Sequence, residues 1–183
     1  MTRLDYLLKQ YENLLGWYRQ SEEKARFLVT INTLVVGVAN GLVFVGADKV
    51  GAVRSLYAFP VWGLLAGSGV ALLASYVFIL RALWPRHHAH GEPTAPSERI
   101  WFFGDVAAMT KQDFGAAIGE WTEARLETAM IAQNHILSRN VWVKHEALNR
   151  AIVCTIVALV LFFCLGVAYG VAVAHTPLPP AAA

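Results

Sequence analysis

Three stretches of this chain contain no Asp, Glu, Lys or Arg: residues 27–47, 55–80 and 151–174. An α-helix rises about 1.5 Å per residue, so roughly 18–20 apolar residues cross the hydrocarbon of a bilayer, and each stretch is long enough. A charge at the centre of such a span costs on the order of 2.5–3.5 kcal/mol, which is why its exclusion from three separate runs is informative. Composition agrees. The chain is 56% hydrophobic and 15% charged, against about 45–50% and 25% in soluble domains. A soluble fold of 183 residues with that balance would be left with apolar surface it has no means to bury. The sequence therefore predicts an all-α, three-span integral membrane helical protein. The first run is not read as a signal peptide, because the segment before it is long, mixed in charge and itself patterned.

The loops give the orientation. Residues 1–26 hold five Lys/Arg and residues 81–150 hold eight, whereas residues 48–54 hold only Lys49 and Arg54 and residues 175–183 hold none. The positive-inside rule then places the N-terminus in the cytoplasm and the C-terminus outside. The expected organisation is a cytoplasmic amphipathic helix (1–26), a first span (27–47), an external loop (48–54), a second span (55–80), a cytoplasmic linker (81–109), a long cytoplasmic helix (110–150), a third span (151–174) and an external tail (175–183).

Two of the spans are expected to continue helices that begin in water. Leu4, Leu7, Leu8, Tyr11, Leu14, Leu15 and Tyr18 recur at helical spacing as one apolar stripe, and no breaker separates them from the first span. The alternative is a helix lying on the bilayer surface. Thr110 with Asp113 has the spacing of a capping box. Beyond it, Leu126, Met130, Gln133, Leu137, Val141, Lys144, Leu148 and Ile152 step by four and three into the third span. Both helices run outward from the cytoplasm, so they are able to pack in parallel. A linker rich in Pro, Gly and Ala precedes the second of them. Its His87, His88 and His90 are read as solvated rather than as metal ligands, and no metal or cofactor is expected. Cys154 and Cys164 lie ten residues apart, about 15 Å along a helix, too far for a disulfide.

Within the spans the distinctive residues are small. Gly37 with Gly41, Gly63 with Gly67, and Gly166 with Gly170 repeat the spacing that lets helices approach closely in lipid. Asn32 and Asn40 are the notable polar residues at membrane depth, each seeking a partner for its amide. These six glycines and two asparagines are the expected packing positions, within the chain or between copies in an oligomer. Near the cytoplasmic face, Gln133 and Lys144 interrupt an apolar stripe, a pattern that suits binding or specificity. Lys144, Arg139, Gln133, Trp142 and Trp101 are accordingly the candidate acceptors of an anionic ligand. Lys144 is equally placed for a structural ion pair at the boundary with Glu22 and Lys24. No phosphate loop, nucleophile elbow or zinc motif is present, a net charge of +2 gives no reason to expect nucleic acid, and spans without ionisable groups do not resemble those of an ion-coupled transporter.

Three segments in this order, "WYRQSEEKARFLVTIN", "IWFFGDVAAMTKQDF" and "QNHILSRNVWVKHEALNRA", resemble the Pycsar transmembrane effectors from about Trp17 to the last span. Glu22, Lys24 and Ala25 match that family's acid two residues before Lys-Ala, with Glu where Asp is usual. Gln133, Ser138 and Lys144 match its last cytoplasmic helix, with His145 where a Tyr often follows. The resemblance implies an effector in the bacterial inner membrane that answers a cyclic pyrimidine mononucleotide, cyclic UMP or cyclic CMP, made by a partner cyclase on infection. It then impairs membrane integrity so that the host stops growing before phage mature. A second reading from the residues alone is a membrane scaffold whose cytoplasmic coiled coil recruits a protein. A third, a membrane-bound hydrolase using Asp105 or His145, has least in its support.

Overall fold

The computed structural model describes residues 1–44, 59–84 and 103–174. All regular structure among them is helical: α1 (Arg3–Phe44), α2 (Phe59–Leu83), α3 (Phe103–Ala108), α4 (Lys111–Gly119) and α5 (Glu123–Ala174). The expected external loop, the external tail and the three histidines fall outside the described residues.

The start of α1 follows from Thr2, the residue just before it. Thr2 Oγ1 accepts a hydrogen bond from the Asp5 backbone N–H at 3.1 Å, and Asp5 returns the favour by accepting the Thr2 N–H at 2.8 Å. Two otherwise orphaned donors of the first turn are thereby satisfied. From there α1 runs 42 residues without a break, through the charged segment and into the apolar one. In α2, Pro60 is the second residue, where a missing N–H costs no helical hydrogen bond.

The long helix expected from Thr110 is in fact two. Thr110 does cap a helix, accepting the Asp113 N–H at 3.1 Å, but that helix ends at Gly119 after nine residues. Thr122 then starts α5, its carbonyl taking the Leu126 N–H at 3.0 Å and its hydroxyl the Arg125 N–H at 3.4 Å. The physical reason is local. Gly115 and Gly119 each weaken a helix by about 1 kcal/mol relative to Ala, α4 buries no side chain that would offset this, and Thr122 offers a competing cap. The expected linker 81–109 is also helical at both its described ends, since α2 reaches Leu83 and α3 occupies Phe103–Ala108.

The chain divides into two compact units. One comprises Met1–Ser21 and Trp84–His145, the other Glu22–Leu83 and Glu146–Ala183; α1 and α5 contribute residues to each. In the first unit Leu7 and Leu14 of α1 and Ala129, Met130 and Val141 of α5 are buried. Arg3 pairs with Glu127 at 3.6 Å. In the second unit three helices meet in layers. Ala25, Leu28, Ile79, Leu148 and Ala151 form one cluster, and Val35, Leu72 and Ala158 form another.

One periodicity accounts for both cores. Buried positions in α1 include Leu7, Leu14, Ser21, Leu28 and Val35 with Ala25 and Asn32 between them, and in α5 Lys144, Ala151, Ala158 and Leu165 with Val141, Leu148 and Thr155. In α2 they are Val61, Ser68, Ser75 and Ala82 with Leu72 and Ile79. This is the seven-residue repeat by which packed helices keep a seam toward their partners. The residues off the seam in the apolar unit are exposed and large, among them Val70, Leu73, Val77, Val153, Ile156, Val160, Phe163 and Val167.

Among the described residues two helices, in the stretches Val61–Leu83 and Glu123–Ala168, are long and apolar enough to cross a membrane, and only 22% of the most apolar part of each is buried. A core helix of a soluble protein would be mostly covered; here the uncovered faces are hydrocarbon. The first expected span is helical from Phe27 to Phe44, and its last three residues lie outside the described set.

Candidate functional site

Polar side chains mark one level of the apolar unit. Asn32 of α1, Ser75 of α2 and Thr155 of α5 lie between the two apolar clusters along their helices and are respectively 0%, 0% and 3% exposed. Asn32 Nδ2 donates to Ser75 Oγ at 2.9 Å, and Thr155 Oγ1 donates to Asn32 Oδ1 at 3.0 Å. With the Thr155 hydrogen so used, the single Ser75 hydrogen is shared between the Ala151 carbonyl at 3.1 Å, to which it donates, and Thr155 Oγ1 at 2.9 Å. Two turns away on α2, Ser68 donates to the Ala158 carbonyl at 3.2 Å. On the outer side of α1, Thr33 and the Tyr76 hydroxyl meet at 3.0 Å.

The sequence singled out Asn32 and Asn40 together, and the structure separates them. Asn32 is enclosed by the network, whereas Asn40 is exposed. Ser68, Ser75 and Thr155 went unnoticed because Ser and Thr are common in spans and only a cross-helix partner makes them informative. Of the six packing glycines, Gly67 alone approaches a neighbour: a Cβ there would sit 3.3 Å from Leu161 Cδ1, whereas Gly37, Gly41, Gly63, Gly166 and Gly170 have nothing within 4 Å.

The charged unit holds four of the expected ligand residues, Gln133, Arg139, Trp142 and Lys144. Lys144 is 1% exposed, and its ammonium lies 3.7 Å from the centroid of the Tyr18 ring. A cation on an aromatic face is worth about 0.5–2 kcal/mol, the upper end when desolvated. Trp142 is 72% exposed; two residues from Lys144, it points to the other side of α5. Arg139 is exposed and Gln133 half-buried. Trp101 lies outside the described residues. Glu22 is half-buried and Lys24 exposed on α1.

A polar residue that the stripe did not flag is buried here instead. Asn134 is 4% exposed, and its Nδ2 donates to the Leu7 carbonyl at 3.0 Å. Ser138 turns its hydroxyl back to the Asn134 carbonyl at 2.7 Å. His145 Nδ1 is 3.1 Å from the Val141 carbonyl, an attachment to its own helix.

Hydrocarbon-faced helices whose buried polar groups bond to one another across the packing seams define a helical membrane protein. Over residues 6–172 the chain matches the Pycsar effector protein domain, PycTM, and it belongs to that family. It is thus an effector of a Pycsar antiphage defence system, a type of protein that works with a partner cyclase and is not a known enzyme family. No curated protein and no solved structure matches the chain.

Proposed function

We propose that this protein is a ligand-gated effector that spans the bacterial inner membrane three times, N-terminus in and C-terminus out, as an oligomer. The ligand is a cyclic pyrimidine mononucleotide, cyclic UMP or cyclic CMP, supplied by the partner cyclase on infection. Its binding to the cytoplasmic helices alters their packing, membrane integrity is lost, and the infected cell stops growing before phage mature.

The observation that carries this reading is the extent of the family match. It runs from residue 6 to residue 172 and so takes in both the charged unit and the apolar one, rather than only a generic hydrophobic span. The chemistry of the charged unit supports it. A cyclic mononucleotide offers one negative charge and a flat base, and Lys144 with Tyr18 supplies an ammonium and an aromatic face, the two partners such a ligand uses. Lys144 is covered in this state, so a ligand reaches it only when the surrounding packing changes. Binding is then coupled to a rearrangement, and a differential affinity of about 3–5 kcal/mol between two packings suffices to switch the population.

Co-expression with the cyclase, followed by a membrane-potential dye, tests the reading: cells are expected to depolarise only when both proteins are present. Titration of the purified protein with cyclic UMP and cyclic CMP, with oligomeric size as the readout, identifies the ligand. Unaltered potential under full induction of both proteins would refute the proposal.

A further inference from the structure

Half of the Ser and Thr hydroxyls in the described helices bond back to their own helix. Thr30 donates to the Arg26 carbonyl, Thr128 to Ala124, Ser138 to Asn134 and Ser21 to Tyr18. This is the ordinary, inexpensive way for Ser and Thr to be satisfied in a helix. Thr33 meets the Tyr76 hydroxyl at an exposed position, and Ser68, Ser75 and Thr155 direct their buried hydroxyls across to neighbouring helices. If the helices part, Ser75 and Thr155 have that local alternative. Asn32 has the larger demand: its amide carries two donors and two acceptor positions, more than its own helix backbone satisfies, and all of its described bonds go to other helices.

We propose that Asn32, Ser75 and Thr155 form the lock that holds the membrane part in its resting packing, and that they become the polar lining of an aqueous path when the helices separate. The inference rests on the reading above that the protein compromises the membrane. The cluster is matched in the closed arrangement, where its donors meet acceptors on other helices at 2.9–3.1 Å. It is also the one described level of the three-helix core where parted helices present side-chain groups from all three to water.

The asymmetry of buried hydrogen bonds gives the test its direction. Removing one partner leaves the others unsatisfied, which costs more than the bond itself contributed. Replacing all partners with apolar groups of similar shape leaves nothing unsatisfied. Thr155→Val therefore weakens the lock and keeps the lining, whereas the triple variant Asn32→Leu, Ser75→Ala, Thr155→Val keeps a tight seam and deletes the lining.

Each variant is expressed in cells with and without the cyclase, and potential is read by dye after the amount of protein in the membrane fraction has been matched. Thr155→Val without cyclase is expected to raise the fraction of depolarised cells roughly tenfold over wild type. Thr155→Ser, which keeps the hydroxyl, should stay as quiet as wild type. The triple variant should lose most of the cyclase-dependent response. If Thr155→Val is silent without cyclase and the triple variant responds like wild type, the cluster is packing only and the proposal is overturned. Equal leakage from Thr155→Ser and Thr155→Val overturns it as well. Wild type that ignores the cyclase while Thr155→Val leaks on its own would refute the functional reading and leave the lock standing.

Discussion

The Lys144 ammonium lies 3.7 Å from the centre of the Tyr18 ring and is almost wholly enclosed by protein. A lysine sheathed in this way cannot serve as a surface charge. It either fixes the packing of its unit or waits for a ligand that displaces it, and two substitutions tell these roles apart.

Lys144→Ala removes the cation from the Tyr18 face, leaves a cavity along the lysine stem and is expected to abolish cyclase-dependent depolarisation while the protein still reaches the membrane. Lys144→Met keeps the volume and most of the packing but not the charge. If the charge is what the ligand needs, Met is as inactive as Ala in the depolarisation assay yet loses about 1–2 kcal/mol less stability in detergent unfolding. A fully active Lys144→Met would remove Lys144 from the ligand site.

Asn32 and Thr155 should be energetically coupled. Single and double alanine variants, unfolded in detergent, are expected to give a coupling of about 0.6–1.7 kcal/mol, the range found for hydrogen bonds between membrane helices. Asn40, which is exposed, should show none with Thr155 in the same cycle.

The glycines divide into two groups. Gly67→Leu forces a bulky side chain against Leu161, which a Cβ alone would already approach to 3.3 Å, and should lower stability of the isolated chain by about 1–3 kcal/mol. Gly63→Leu and Gly166→Leu meet nothing within 4 Å in the chain itself and should leave that stability unchanged. If copies pack through those glycines, the same two variants shift the oligomer to smaller size in light scattering.

The first turn of α1 is sensitive to acid. The Thr2 backbone N–H, and then its hydroxyl, hold the Asp5 carboxyl below its ordinary value of 3.8. A lowered folded-state value means that the contribution is complete above the ordinary carboxylate range and is lost as pH falls through the lower one. Hydrogen exchange of the first amides of α1 should therefore quicken in acid beyond the intrinsic trend. Asp5→Asn should remove that pH dependence.

Much of the architecture is legible in the sequence because hydrocarbon imposes a crude filter. Charge-free runs of sufficient length must be helical, since a span has no water to satisfy its backbone, and α2 and the apolar half of α5 follow directly. Thr110 as a cap was equally readable, since capping depends on neighbours three residues away. The extent of its helix was not, because the competition between Thr122 and a weak, glycine-containing turn is too close for spacing to settle. Asn32 could be picked out as an amide in a greasy run, yet nothing in the chain's order joined it to Ser75, 43 residues on, or to Thr155, 123 residues on.

The sequence by itself determined that the chain is helical, where the spans at α2 and α5 must lie, and that α1 and α5 carry stripes stepping by three and four residues, because these are consequences of local composition and helical period. Tertiary structure alone decided which polar groups meet. A hydroxyl that bonds to its own helix and one that bonds to another are identical in sequence, and only the packed seam selects between them. For the same reason Lys144 was readable as a cation near the boundary, whereas its seat on Tyr18 depends on two helices being side by side.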